Sequence, residues 1–153
     1  MNVDIEVIEV EPRDYLGIRE TFESSDISVK TPQLFHELFD FVFQNGITPA
    51  GPPFCLYHSY TEERTDMECG VPVAPGTKGT GRITEGRLPG TKVIKATHVG
   101  PYDRLVETYN MIVSFAKEKD YKLDMRMWEY YLNDPNEEKD PSKWETEINW
   151  PIE

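Results

Sequence analysis

Trp128-Glu129-Tyr130-Tyr131 lies over Phe54-Cys55-Leu56-Tyr57 when the chain is aligned with itself, and this overlay decides the fold. Outward from it, the first copy starts at Pro12-Arg-Asp-Tyr-Leu-Gly-Ile-Arg19 and ends at Glu68-Cys-Gly-Val-Pro-Val73. The second starts at Pro89-Gly-Thr-Lys-Val-Ile-Lys95 and ends at Glu147-Ile-Asn-Trp-Pro-Ile152. An amphipathic run separates the matching pieces in each copy. Cys55 in the first copy becomes Glu129 in the second. A carboxylate between aromatics, with no counterpart in the duplicate, points to a site rather than to scaffold.

Residues 3–10 alternate apolar and acidic side chains through most of their length, as a half-buried strand does. Residues 14–21 read as a second strand. Thr31-Pro32 predicts a helix start, with Leu34, Leu38, Phe41 and Val42 at helical spacing and Asn45-Gly46 as the stop. Residues 54–60 and 67–73 predict a hairpin with a charged connection. The glycine-rich stretch Gly76-Thr-Lys-Gly-Thr-Gly81 lacks the P-loop pattern and reads as the link between repeats.

Residues 82–87 and 91–98 are the next strands, with Leu88-Pro89-Gly90 as the turn. Gly100-Pro101 opens a second helix with Leu105, Tyr109, Ile112 and Ala116 on one face, and residues 126–132 and 144–152 close the chain as strands. Each half therefore reads β-β-α-β-β. The expected fold class is α+β, a single domain over 1–153 made of two pseudo-symmetric repeats, about 3–73 and about 82–153. Together they hold about eight strands and two long helices around a central cleft. One helix leaves much of a sheet face uncovered, so neither half closes a core by itself.

The 153 residues suit one domain of ordinary size, and the net charge is −12. That charge repels phosphate backbones and anionic membranes, so neither nucleic acid nor a membrane is an expected direct partner. No run approaches the roughly 20 apolar residues of a bilayer span. The start Met-Asn-Val-Asp-Ile-Glu lacks the pattern of a signal peptide, and the expected location is cytoplasmic. Two cysteines, Cys55 and Cys69, fit packed thiols on neighbouring strands better than a disulfide framework. No group of His, Cys and acidic residues has metal-ligand spacing, so no metal is expected.

The stretches Leu88-Pro-Gly-Thr, His98-Val-Gly-Pro-Tyr-Asp-Arg-Leu105, Trp128-Glu-Tyr-Tyr-Leu-Asn-Asp-Pro135 and Thr146-Glu-Ile-Asn-Trp-Pro-Ile152, in this order, resemble the GyrI-like family. It is also called the AraC-type effector-binding domain, the ligand-sensing part of bacterial multidrug-responsive regulators. The first half matches more loosely, through Pro12, the helix at 32–45 and Val71-Pro-Val73. The resemblance implies a SOUL-like duplicated fold with a ligand cleft between repeats. It also implies a glutamate ringed by aromatics that recognises lipophilic cations, a role that falls on Glu129. Some stand-alone members resemble hydrolases of cyclopropane-bearing cytotoxins that use a glutamate at this position. Others are said to protect gyrase, which implies a protein partner. No DNA-binding region accompanies the motifs, so the resemblance is to a stand-alone domain. Haem belongs to the related SOUL family, but no axial ligand stands out, and no cofactor is expected.

Strand alternation puts Met127, Glu129 and Tyr131 on one face and Trp128, Tyr130 and Leu132 on the other. Cys55 and Tyr57 are the pseudo-symmetric counterparts. The expected ligand-binding set is Glu129, Tyr131, Tyr57, Tyr109, Trp144, Trp150, Phe39 and Cys55, with Glu129 catalytic if the protein is a hydrolase. The competing reading leaves Glu129 on a solvated face beside Lys122 or Arg126. Glu68 and Glu147 recur in both halves and read as structural or solvent-facing. His98, at a strand end, reads as a hydrogen-bonded structural residue, His36 as a solvated helix flank, and His58 as isolated from other ligand types.

Overall fold

The acidic–apolar alternation near the start becomes a strand because only one of its faces can leave water. The computed structural model describes residues 4–153; this strand, β1, spans Ile5–Val10, and Val3, its expected first residue, lies outside the described residues. The chain continues through β2 (Arg13–Glu23), α1 (Ile27–Gln44), β3 (Phe54–Tyr60), β4 (Arg64–Pro72) and β5 (Ile83–Leu88). It closes with β6 (Thr91–Val99), α2 (Leu105–Glu118), β7 (Met127–Tyr131) and β8 (Glu145–Pro151). The class is α+β, with eight antiparallel strands and two long helices among the described residues. Among the described residues, no helix is long and apolar enough to cross a membrane.

The chain divides into two compact units, a central one of Pro12–Pro89 and a C-terminal one that joins Gly90–Glu153 to the residues up to Glu11. In the central unit the strands run β5-β2-β4-β3, and in the C-terminal unit β1-β6-β8-β7. The two units share one plan, but they are not the two sequence repeats. β1 pairs with β6, Ile5 opposite Ala96, while β5 pairs with β2, Arg13 opposite Leu88. Each sequence repeat thus gives its first strand to the other unit.

The reason lies in two short links. Glu11-Pro12 joins β1 to β2, and Pro89-Gly90 joins β5 to β6. A two-residue hairpin needs a type I′ or II′ turn with positive φ at its first central residue. Proline cannot adopt that conformation, and glutamate adopts it only with strain. The expected turn at Leu88-Pro89-Gly90 is therefore a passage between units and not a hairpin. β3 and β4 do form the expected hairpin, with a register shift between Tyr57 and Ser59.

Helix α1 begins at Ile27, earlier than the Thr31-Pro32 signal, and holds Pro32 inside its second turn. The three residues Ser24–Asp26 form a short 3-10 turn that leads into it. Leu34, Leu38 and Val42 are its buried line, as their spacing predicts, while Phe41 is only half-buried. Asn45 and Gly46, the latter at φ 65°, end it as expected. Helix α2 starts at Leu105 after a short 3-10 turn, Tyr102–Arg104, and buries Thr108, Ile112 and Ala116. Thr108, missed by an apolar count, is buried because its hydroxyl meets His98 Nδ1 at 2.7 Å. His98 also meets the Pro101 carbonyl at 3.0 Å, so it has the structural role expected of it.

In the central unit, large side chains press against glycines. A Cβ on Gly70 would stand 2.4 Å from Phe54 Cζ, and Phe54 has no exposed surface in which to retreat. Gly70→Ala is therefore expected to destabilise the protein by about 1–3 kcal/mol, read by urea unfolding. The Gly70→Ala, Phe54→Leu pair should lose less than the sum of the single changes, because the smaller side chain relieves the clash. An unchanged unfolding midpoint for Gly70→Ala would show that the ring is free to move.

Candidate functional site

The most telling group is the one that breaks the internal symmetry. Alternation along β7 turns Met127, Glu129 and Tyr131 toward the side that carries α2. Helix α2 supplies Tyr109, one position past the buried Thr108. Its hydroxyl donates to Glu129 Oε2 and lies 3.9 Å from Met127 Sδ. From the strand itself, the Tyr131 hydroxyl donates to Glu129 Oε1 at 2.8 Å. On β8, Ile148 stands opposite Glu129.

Aromatic rings continue outward from this pair of phenols. Trp150 meets Tyr109 edge-on, with centroids 6.1 Å apart, and its indole N–H is tied to the Asp124 carbonyl at 2.8 Å. Tyr102 contacts Tyr131 at 5.7 Å and stacks on Trp144 at 4.8 Å. The Trp144 N–H is held by the Glu138 carbonyl at 2.7 Å. Both indoles thus spend their polar edge on backbone.

Glu129 is only 2% exposed. Lys122 pairs instead with Glu153, and among the described residues no Lys, Arg or His forms an ion pair with Glu129. The solvated reading beside Lys122 or Arg126 does not hold. A carboxylate without a counter-charge is unfavourable in an apolar place, so it keeps its proton. Burial pushes the Glu129 carboxyl up from 4.5 to about 7, and the Tyr131 hydrogen bond opposes that rise. The group is therefore poised to be neutral or charged near neutral pH.

Five of the expected residues, Glu129, Tyr131, Tyr109, Trp150 and Trp144, come together in the C-terminal unit. Tyr57, Phe39 and Cys55 belong to the central unit. Cys55 is fully enclosed, with its Sγ 3.8 Å from that of Cys69, the neighbouring thiols expected from adjacent strands. Tyr57 is half-buried opposite Met67. Phe39 stacks between Phe35 and Phe43, at 5.9 and 5.7 Å.

Three residues gain significance that the sequence did not give them. Tyr102 bridges Tyr131 and Trp144. Thr146, opposite Tyr131, buries a hydroxyl that finds no hydrogen-bond partner among the described residues, and its alternation with Ile148 was the available signal. His58, isolated in sequence, meets the buried Glu68 at 2.8 Å. This gives Glu68 a structural partner, whereas Glu147 is half-buried beside Lys95 and Asn149. His36 is exposed beside Asp40, as its place on the helix flank suggests. Among the described residues, no three His, Cys, Asp or Glu side chains converge as metal ligands do.

A folded-state pKa above the ordinary value gives stability that is complete below about 4.5 and is lost as pH rises through about 7. The rise corresponds to a loss on the order of 3 kcal/mol across that window. Urea unfolding at a series of pH values should show this decline in the wild type and its absence in Glu129→Gln. Parallel curves for the two proteins would mean that Glu129 titrates normally.

Comparison with known proteins then places the chain. The C-terminal domain of EcmrR has 25% sequence identity and a TM-score of 0.85, covering 100% of this chain and 99% of that one. Within an EcmrR–DNA complex, the match covers 99% of this chain but 57% of that chain, so this chain spans little more than half of the longer protein's length. SAV2435, in a structure bound to tetraphenylphosphonium, shares the fold with a TM-score of 0.69 at 11% identity, covering 98% of this chain and 94% of that one. A protein from Listeria innocua described as a hydrolase also shares it, with a TM-score of 0.69 at 16% identity and coverage of 97% and 91%. No curated protein matches the sequence. The model of the GyrI-like small molecule binding domain matches residues 3–153, and the chain belongs to that family.

Proposed function

We propose that the C-terminal unit binds a flat or multi-ring lipophilic cation, with Glu129 as its counter-charge and Tyr131, Tyr109, Trp150, Trp144 and Tyr102 as its aromatic lining. The observation that carries this reading is a carboxyl group 2% exposed whose protein partners are phenols and not cations. A ligand cation supplies the missing charge. At about 4 Å and an effective dielectric near 20, the attraction is about 4 kcal/mol. Each aromatic face adds roughly 0.5–2 kcal/mol and tolerates many shapes, because the attraction depends on the ring and not on a fixed hydrogen-bond pattern. The tetraphenylphosphonium-bound relative supports the choice of ligand class.

Tetraphenylphosphonium is the direct probe. It should raise the melting temperature of the wild type and quench tryptophan fluorescence, and Glu129→Gln should weaken its binding at least about tenfold. Equal affinity for the wild type and Glu129→Gln would remove Glu129 from the site.

A second reading rests on one further observation. A carboxyl titrating at about 7 suits general acid–base chemistry near neutral pH, and Tyr131 and Tyr109 are placed to orient a substrate oxygen. The Listeria innocua relative described as a hydrolase points the same way. Under this reading a strained cyclic compound is hydrolysed, and Glu129→Gln abolishes turnover while leaving the substrate bound. Binding without any product over hours of incubation would leave the binding reading alone.

A further inference from the structure

We infer that cation binding at this site is a proton exchange: Glu129 gives its proton to solvent as the cation enters, and the Tyr109 hydroxyl turns from Met127 Sδ to the carboxylate. The inference rests on the proposed binding of lipophilic cations at Glu129. Its geometric basis is the position of Tyr109 Oη, within reach of both Glu129 Oε2 and Met127 Sδ.

Both protonation states can then be written with every polar hydrogen placed. In the neutral state the Glu129 O–H donates to Tyr109 Oη, the Tyr109 O–H donates to Met127 Sδ, and the Tyr131 O–H donates to Oε1. In the charged state Tyr109 and Tyr131 both donate to the carboxylate. Neither state strands a buried donor, which is the usual obstacle to changing the charge of an enclosed group. The balance is simple: protonated Glu129 plus cation gives the carboxylate–cation pair and one free proton.

Among the described residues, no other ionisable group competes for that proton at the site. From β7 itself and from α2, Tyr131 and Tyr109 face Glu129 as its two phenols. In the first turn of α2, before Tyr109, Glu107 is paired with Arg104 of the preceding 3-10 turn, on exposed surface. On β8, the residues sharing the face of Glu129 are Thr146, Ile148 and Trp150; Glu147 alternates away and lies near Lys95. On β6, His98 is engaged by Thr108 and the Pro101 carbonyl. The 3-10 turn before α2 supplies Tyr102 through its contact with Tyr131. The raised Glu129 pKa is consistent with a proton present in the empty site near neutral pH.

The test is calorimetric titration with tetraphenylphosphonium, a permanent cation with no proton of its own, in buffers of differing ionisation enthalpy. Release should approach about one proton per cation near pH 6 and fall toward none near pH 8.5, with a midpoint at about pH 7. In parallel, affinity should rise about tenfold per pH unit below the midpoint and level off above it. Met127→Leu keeps the apolar volume but removes the alternative acceptor. It should move the midpoint to lower pH and leave the affinity near pH 8.5 unchanged. Binding with no dependence on buffer overturns the exchange, as does proton release that persists in Glu129→Gln. A Met127→Leu midpoint identical to that of the wild type overturns the role of Tyr109 and Met127. Failure of tetraphenylphosphonium to bind near pH 8.5, where Glu129 is ionised, overturns the binding reading itself.

Discussion

A carboxyl group withdrawn from water must be paired, neutralised or solvated by fixed dipoles. Glu129 is given the second option by default, with two phenols as partial solvation. Much of the C-terminal unit contributes to that condition. Helix α2 packs against β6 and reaches β7 through Tyr109, Ile148 stands opposite Glu129 on β8, and the Trp150 and Trp144 rings extend the apolar wall with their N–H groups turned to backbone. An arginine or lysine beside this carboxylate would stabilise its charged form. With neither among its described partners, an ionised Glu129 has no counter-charge from the protein.

The scaffold meets a different constraint. A two-residue link between antiparallel strands most often forms a hairpin through turns with positive φ at the first central residue. Pro89 cannot adopt that conformation and Glu11 adopts it only with strain, and β1 and β5 pair outside their own sequence repeats, β1 with β6 and β5 with β2. Both units keep the same strand order, so the duplication survives at the level of plan although its boundaries are exchanged. The proline signal is visible in the sequence, but a Pro-Gly pair between two strand-like runs reads most simply as a turn, since nothing local distinguishes a turn from a passage.

Much of the site is legible in the residues alone. Period-two alternation puts Glu129 and Tyr131 on one face, and the self-alignment singles out Glu129 as the residue without a twin. The link from Tyr109 to Glu129 is not legible there, because 20 residues separate them and the contact depends on how α2 is rotated about its axis. That rotation is set partly by Thr108 and its hydrogen bond to His98, a polar anchor that no apolar periodicity reveals. Tyr102 is similar: its place at a helix start is readable, but its stacking on Trp144 joins residues from two loops.

By itself the sequence determined the kinds of element and the faces they present. Side-chain polarity at period 2 or 3.6 is a local property, and burial of the apolar face follows wherever the element packs. Only the tertiary structure decided which strand each element pairs with, because backbone hydrogen bonding is blind to side-chain identity and the choice falls to links and long-range packing. It alone decided also that Glu129 stands without a cation. The charge state of a buried group depends on every neighbour from every element, and those neighbours are assembled only when the chain has folded.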